Sequence, residues 1–222
     1  MRDRLVLMAG VVLAFLLITG SMERAWTEVY IAGGAGMTFP LDLRHVRGTG
    51  ANHGVSFGSL DLANTEVFGG KVGYFFEDKG WEWVGVEVEG FVSHPRVTHQ
   101  TSSGPATESV IAGTGEHVRI VTTALNVLAR YPHGRLQPYA GIGLAMVSAT
   151  VSGPSLAVSD SSPGLNLLAG AKFFLTERVA VFCEGRYTYA SFQFEDAGLA
   201  GAGVKGVYQA PGVVAGMAWH FK

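Results

Sequence analysis

Eight stretches of this chain alternate between apolar and polar or small residues with a period of two. They are VYIAGGAGMTF (29–39), VFGGKVGYFF (67–76), WVGVEVEGFV (83–92), TTALNVLARY (122–131), PYAGIGLAM (138–146), LNLLAGAKFF (165–174), VFCEGRYTY (181–189) and GVVAGMAWHF (212–221). A period of two is the geometry of a strand, whose successive side chains point to opposite faces. Helical periodicity is hard to find beyond residue 21, and no apolar run there approaches the length of a membrane-spanning helix. The reading is all-β, and each stretch reaches or approaches the ~9–11 residues with which a tilted strand crosses a bilayer.

The alternation also assigns a wet face. In the seventh stretch Glu184 and Arg186 share one side, while Val181, Cys183 and Tyr187 share the other. A Lys or Arg turned to lipid near the midplane costs roughly 2–4 kcal/mol, so in a membrane barrel the charges belong inside. Parity then points Glu28, Lys71, Glu87, Glu89, Asn126, Arg130, Lys172, Glu184 and Arg186 inward, and Val29, Ile31, Phe68, Val86, Leu125, Ile142, Leu167, Val213 and Met217 outward. Eight strands enclose an interior that side chains can fill. Four bases would meet four acids there, and because an unpaired buried charge is expensive, an ion-pair network is expected in the lumen. Glycine, at 31 residues, would remove bulk where a narrow barrel curves or its lumen is crowded.

The connections alternate as well. Short turns are expected at 77–80, 132–137 and 176–178, and long polar loops at 40–64, 94–115, 152–164 and 195–206. Loops that long would count against a soluble domain, but short periplasmic turns and long extracellular loops are the usual form of an outer-membrane barrel. With both chain ends on the inner side, Trp26, Trp81, Trp83 and Trp219 form an aromatic girdle at the periplasmic rim. Tyr74, Phe75, Phe76, Tyr131, Tyr139 and Phe173 are expected to join it, with Phe39, Phe91, Tyr189 and Phe192 towards the opposite rim. Pro211 is expected near the extracellular start of the last strand, where a missing N–H is tolerated.

Arg2 and Arg4 precede the apolar run LVLMAGVVLAFLLI (5–18), and small residues follow at Thr19 and Ser21. This is the pattern of a secretory signal peptide over 1–21, cut between 20 and 25, with 22–222 as one domain. The run is shorter than the ~20 residues of a spanning helix. A net charge of −2 with 15% charged residues offers no basic stripe, so nucleic acid is not an expected partner. Cys183 is the single cysteine, which excludes an internal disulfide and a multi-cysteine metal site. His45, His53, His94, His99 and His117 lie in or beside the loops at spacings that fit no ligand pattern, so neither metal nor cofactor is expected. The pairs Glu87 with Glu89 and Glu184 with Arg186 share a face simply because strands alternate, and no catalytic role is assigned to them.

With its signal, NVLARYP…PYAGIGLAM (126–146), FCEGRYTYASF (182–192) and the closing GMAWHF, the mature chain resembles the small outer-membrane β-barrel proteins of the OmpA-like, opacity-like type. The resemblance implies an eight-stranded antiparallel up-and-down transmembrane barrel in the bacterial outer membrane, with a structural or surface-contact role. The implied partners are outer-membrane lipid, the barrel-assembly machinery through the C-terminal strand, and loop-mediated surface contacts. Two departures stand out: Phe221, the usual terminal aromatic, is followed by Lys222, and no peptidoglycan-binding domain follows the barrel, so wall anchoring is not expected. A narrow channel for small solutes stays open as an alternative. So does a lipid-modifying enzyme, although the His-x-Ser pair of related deacylases is missing and HQT (99–101) is the nearest approach. A soluble lipocalin-like barrel would invert the faces. The tryptophan sorting, the loop asymmetry and the sparse charge favour the membrane form.

Overall fold

The computed structural model describes residues 28–41, 47–50, 60–62, 64–77, 80–94, 97–100, 117–152, 157–194 and 202–221. The signal stretch, Trp26, His45 and His53 lie outside the described residues. Eight strands build the barrel: β1 (Glu28–Thr38), β2 (Thr65–Phe76), β3 (Trp81–Ser93), β4 (His117–Arg130), β5 (Leu136–Ser152), β6 (Ala157–Phe174), β7 (Val179–Phe194) and β8 (Ala202–Phe221). Each pairs antiparallel with the next, and β8 closes onto β1 from Phe221 opposite Val29 to Gly212 opposite Thr38. Closure satisfies every ladder without leaving an open edge, which is the condition for a sheet to sit in hydrocarbon.

The tight turns gather at one end with both described chain termini. Gly80 (φ 71°) and Gly134 (φ 78°) take the left-handed conformation that two of these turns require. In the third, the Leu175 N–H donates to the Val179 carbonyl at 2.9 Å, and Thr176 Oγ1 accepts from the Val179 N–H at 3.0 Å.

The outer end departs from the sequence reading. The expected loop at 152–164 is mostly strand, because β5 and β6 stay paired out to Ser152 opposite Ala157 and leave only 153–156 between them. Their Ser-rich composition suits a ladder that leaves the bilayer, where Ser148 and Ser161 Oγ atoms meet at 2.8 Å across the two strands. Likewise β8 begins at Ala202, so Pro211 lies inside the strand and not at its start. It falls where β8 outruns β1, and its carbonyl accepts from the Phe39 N–H at 2.8 Å. Two expected loops also contain short strands: Arg47–Gly50 continues along β8, and Leu60–Leu62 pairs with Val97–Gln100.

The faces sort as alternation requires. Ile31, Phe68, Leu125, Val127, Ile142, Leu144, Leu167, Val213 and Met217 are exposed on the outside, with Trp81, Trp83 and Trp219 at the turn end. Tyr131 and Phe173 are exposed as well, whereas Phe75, Tyr139 and Phe91, expected in the aromatic rims, are buried in the lumen. Their height along the strand says nothing of their face; parity with Lys71, Glu89 and Gln137 turns Phe75, Phe91 and Tyr139 inward. Inside, apolar groups form three clusters: Tyr30, Phe75, Leu128, Tyr139, Leu168 and Ala218 towards the turns, Val67, Phe91, Phe182 and Val214 beyond them, and a third around Val147 and Tyr208. Gly73 faces Tyr30 across the ladder, and a Cβ there would overlap the tyrosine ring.

Ile142→Arg, mid-strand on the outer face of β5, is expected to lower the folding free energy in phospholipid vesicles by roughly 2–4 kcal/mol, read from the urea midpoint. Ser161→Arg near the outer end of β6 should cost no more than about 1 kcal/mol.

Candidate functional site in the barrel lumen

The Glu87-Val88-Glu89 step on β3 places two carboxylates on the inner face, and the ladder sets Lys71 of β2 opposite Glu89. Lys71 then reaches across the lumen. Its Nζ lies 2.5 Å from Glu184 Oε2, 3.4 Å from Glu87 Oε1 and 3.5 Å from Glu89 Oε2. Arg186, two residues from Glu184 on β7, pairs with Glu89 through NH2, and the same nitrogen stands 3.9 Å from Glu184 Oε1. The five side chains are almost wholly enclosed.

Neutral donors complete the cluster. The Tyr30 hydroxyl donates to Glu87, and the Tyr139 hydroxyl to Glu184 at 2.9 Å. Asn166 Nδ2 donates to Glu89 at 2.8 Å and to Asn126 Oδ1 at 3.0 Å, and Thr188 Oγ1 donates to Asn166 Oδ1 at 3.2 Å. Such donors matter because a buried carboxylate keeps lone pairs that a single cation cannot satisfy.

A second cluster closes the turn end. Arg130 NH2 lies 2.7 Å from Glu28 Oε2 and 3.1 Å from Glu77 Oε1, its Nε donates to the Glu82 carbonyl at 2.8 Å, and its guanidinium covers the Phe75 ring at 3.7 Å. Glu28 also contacts His220 Nδ1, and the His220 ring stacks on Tyr30 with centroids 5.1 Å apart.

Lys172 departs from the expected network. Among the described residues its Nζ makes no ion pair or hydrogen bond, although the residue is buried. The ammonium lies 3.2 Å from the Tyr30 ring centroid, 5.4 Å from that of Phe75 and 5.7 Å from that of Tyr139. Parity could say that it faces inward but not that aromatic rings would meet it. Tyr30, Tyr139, Asn166 and His220 were absent from the sequence-derived set, yet the same signal was available: Tyr30 shares a face with Glu28, and Asn166 with Lys172.

The arrangement binds charge to charge and leaves little room for anything else. On the outer side of the Lys71 cluster a cavity of about 30 Å³ is lined by Thr38, Ser93, Thr122, Arg186, Thr188 and Tyr208, on the scale of a single water. Among the described residues no group of His, Cys, Asp and Glu is placed to hold a metal. Trp81, Trp83 and Trp219 are outside the barrel and touch none of this.

A profile of the outer membrane protein beta-barrel domain matches residues 9–221. The fold is similar to that of OprG from Pseudomonas aeruginosa, with a TM-score of 0.62 at 18% identity over 87% of this chain and 95% of that one. It is also similar to Neisserial surface protein A, with a TM-score of 0.56 at 15% identity over 87% and 97% of the two chains. No curated protein matches the sequence.

Removing the shared cation tests how tightly the cluster is coupled. Lys71→Met leaves Glu87 without a cation and Glu89 and Glu184 with Arg186 alone, and is expected to destabilise the barrel by about 3–5 kcal/mol. Adding Glu184→Gln should recover part of that loss, seen as a urea midpoint for the double variant above that of Lys71→Met.

Proposed function

This chain belongs to the outer membrane protein beta-barrel domain family and resides in the bacterial outer membrane, and we propose that it is a non-enzymatic envelope protein with a closed lumen. In this reading the barrel contributes structure to the membrane, while the connections at its outer end make surface contacts. The observation that carries it is the seal: Lys71, Glu87, Glu89 and Glu184 have side chains no more than 3% exposed and, with Arg186 as a second cation, form one ion-paired cluster between apolar clusters. A hydrated ion passing through would have to break pairs whose separation leaves buried charge uncompensated. The same enclosure argues against catalysis, since no substrate reaches these carboxylates. The exposed apolar belt is matched to lipid, and β8, ending in the outward Phe221, is the segment proposed to engage the assembly machinery.

A narrow solute channel is the second reading. It draws on Lys71, which faces three carboxylates and can exchange one for another without being left unpaired.

Single-channel recording in a planar bilayer separates the two readings, once gel mobility with and without boiling has shown a folded barrel. The inserted protein is expected to give no ionic steps. Stable steps that change in Glu87→Gln would overturn the closed lumen and establish a channel.

A further inference from the structure

We propose that the ring faces of Tyr30, Phe75 and Tyr139 form a site for a small ammonium-type cation, which the chain fills with its own Lys172. Four strands converge to make it: β1 supplies Tyr30, β2 Phe75, β5 Tyr139 and β6 the lysine. The three rings are buried, and the ammonium lies 3.2, 5.4 and 5.7 Å from their centroids in that order. These are the distances at which a cation is drawn to the negative face of an aromatic ring.

The site differs in kind from the other cation positions in the lumen. Lys71, Arg130 and Arg186 each have a carboxylate in ion-pair contact, whereas Lys172 has none among the described residues. Ring faces therefore take the part that carboxylates play elsewhere. Two of the rings are suited to it, because Tyr30 and Tyr139 donate their hydroxyls to Glu87 and Glu184. A phenol that donates to an anion gains electron density on its ring, and the carboxylates themselves add negative potential beside the ammonium. Arg130 already covers Phe75 and His220 stacks on Tyr30, so the remaining ring surface around Lys172 suits a compact cation and not a second planar group.

The inference rests on the closed lumen and deepens it. A tethered ammonium both fills the site and repels a free cation approaching along the axis, so Lys172 is the barrier to cations between the two ion-pair clusters.

Refolding with an exogenous ammonium ion tests the site. Lys172→Ala empties it, and Lys172→Met fills it with an uncharged chain of similar length. Both variants are refolded with methylammonium chloride, or with sodium chloride at the same concentration, and unfolded in urea. Methylammonium is expected to restore at least half of the midpoint lost in Lys172→Ala, saturably, with sodium chloride giving no such recovery and Lys172→Met not responding. Recovery no greater than with sodium chloride, whether or not Lys172→Ala folds unaided, overturns the site, as does equal recovery in Lys172→Met. Ionic steps from the unmodified barrel would sink the closed lumen alone and leave the refolding result standing.

Discussion

A backbone placed in hydrocarbon has no water to satisfy its N–H and C=O groups, so every ladder must find a partner within the protein. For strands this means a ring, and here β8 meets β1 through an unbroken register from Val29 to Thr38. Once the ring is closed, the two faces of each strand acquire different solvents, and the period of two becomes a sorting rule. Leucines 125 and 144 go to lipid, and the acids two residues apart on β3 go to the lumen. Gly73 belongs to the same logic, since the Tyr30 ring lies over its position on the neighbouring strand and a side chain there would collide with it.

The lumen that results is too narrow to hydrate its charges and has to satisfy them with protein groups. Lys71 shows how this is done: one ammonium is shared among three carboxylates from two strands, each carboxylate also accepting a tyrosine or asparagine hydrogen bond. The apolar clusters on either side hold these groups in a low-dielectric environment, where a broken pair costs far more than at a surface. In the proposed reading, structural role and impermeability have one origin. The network that joins the strands across the lumen is, in that reading, also what stands in the way of an ion.

Much of the wall was legible in the chain because alternation is local. Parity alone placed Glu87, Glu184 and Arg186 inside and Ile142 and Met217 outside, and the rim tryptophans at 81, 83 and 219 followed from counting strands. The outer end was less legible. Ser, Gly and Pro around 152–164 have the composition of a loop, but composition cannot distinguish a loop from a ladder that continues into water. Pro211 was likewise placed by its missing N–H, when the register with β1 explains its position. Phe75, Phe91 and Tyr139 were assigned by height to the aromatic rims, although their parity already turned them inward.

By itself the sequence determined the strands, the facing of their side chains and the need for lumen charges to be balanced, because each of these follows from neighbours one or two residues away. Only the tertiary structure decided which charge meets which. Lys71 and Glu184 are 113 residues apart in the chain, and their meeting depends on the shear with which the ring closes. The same closure brings Lys172 against Tyr30, Phe75 and Tyr139 and leaves it without a carboxylate partner among the described residues. Periodicity fixes a face, whereas partners across a lumen depend on a register that no single strand contains.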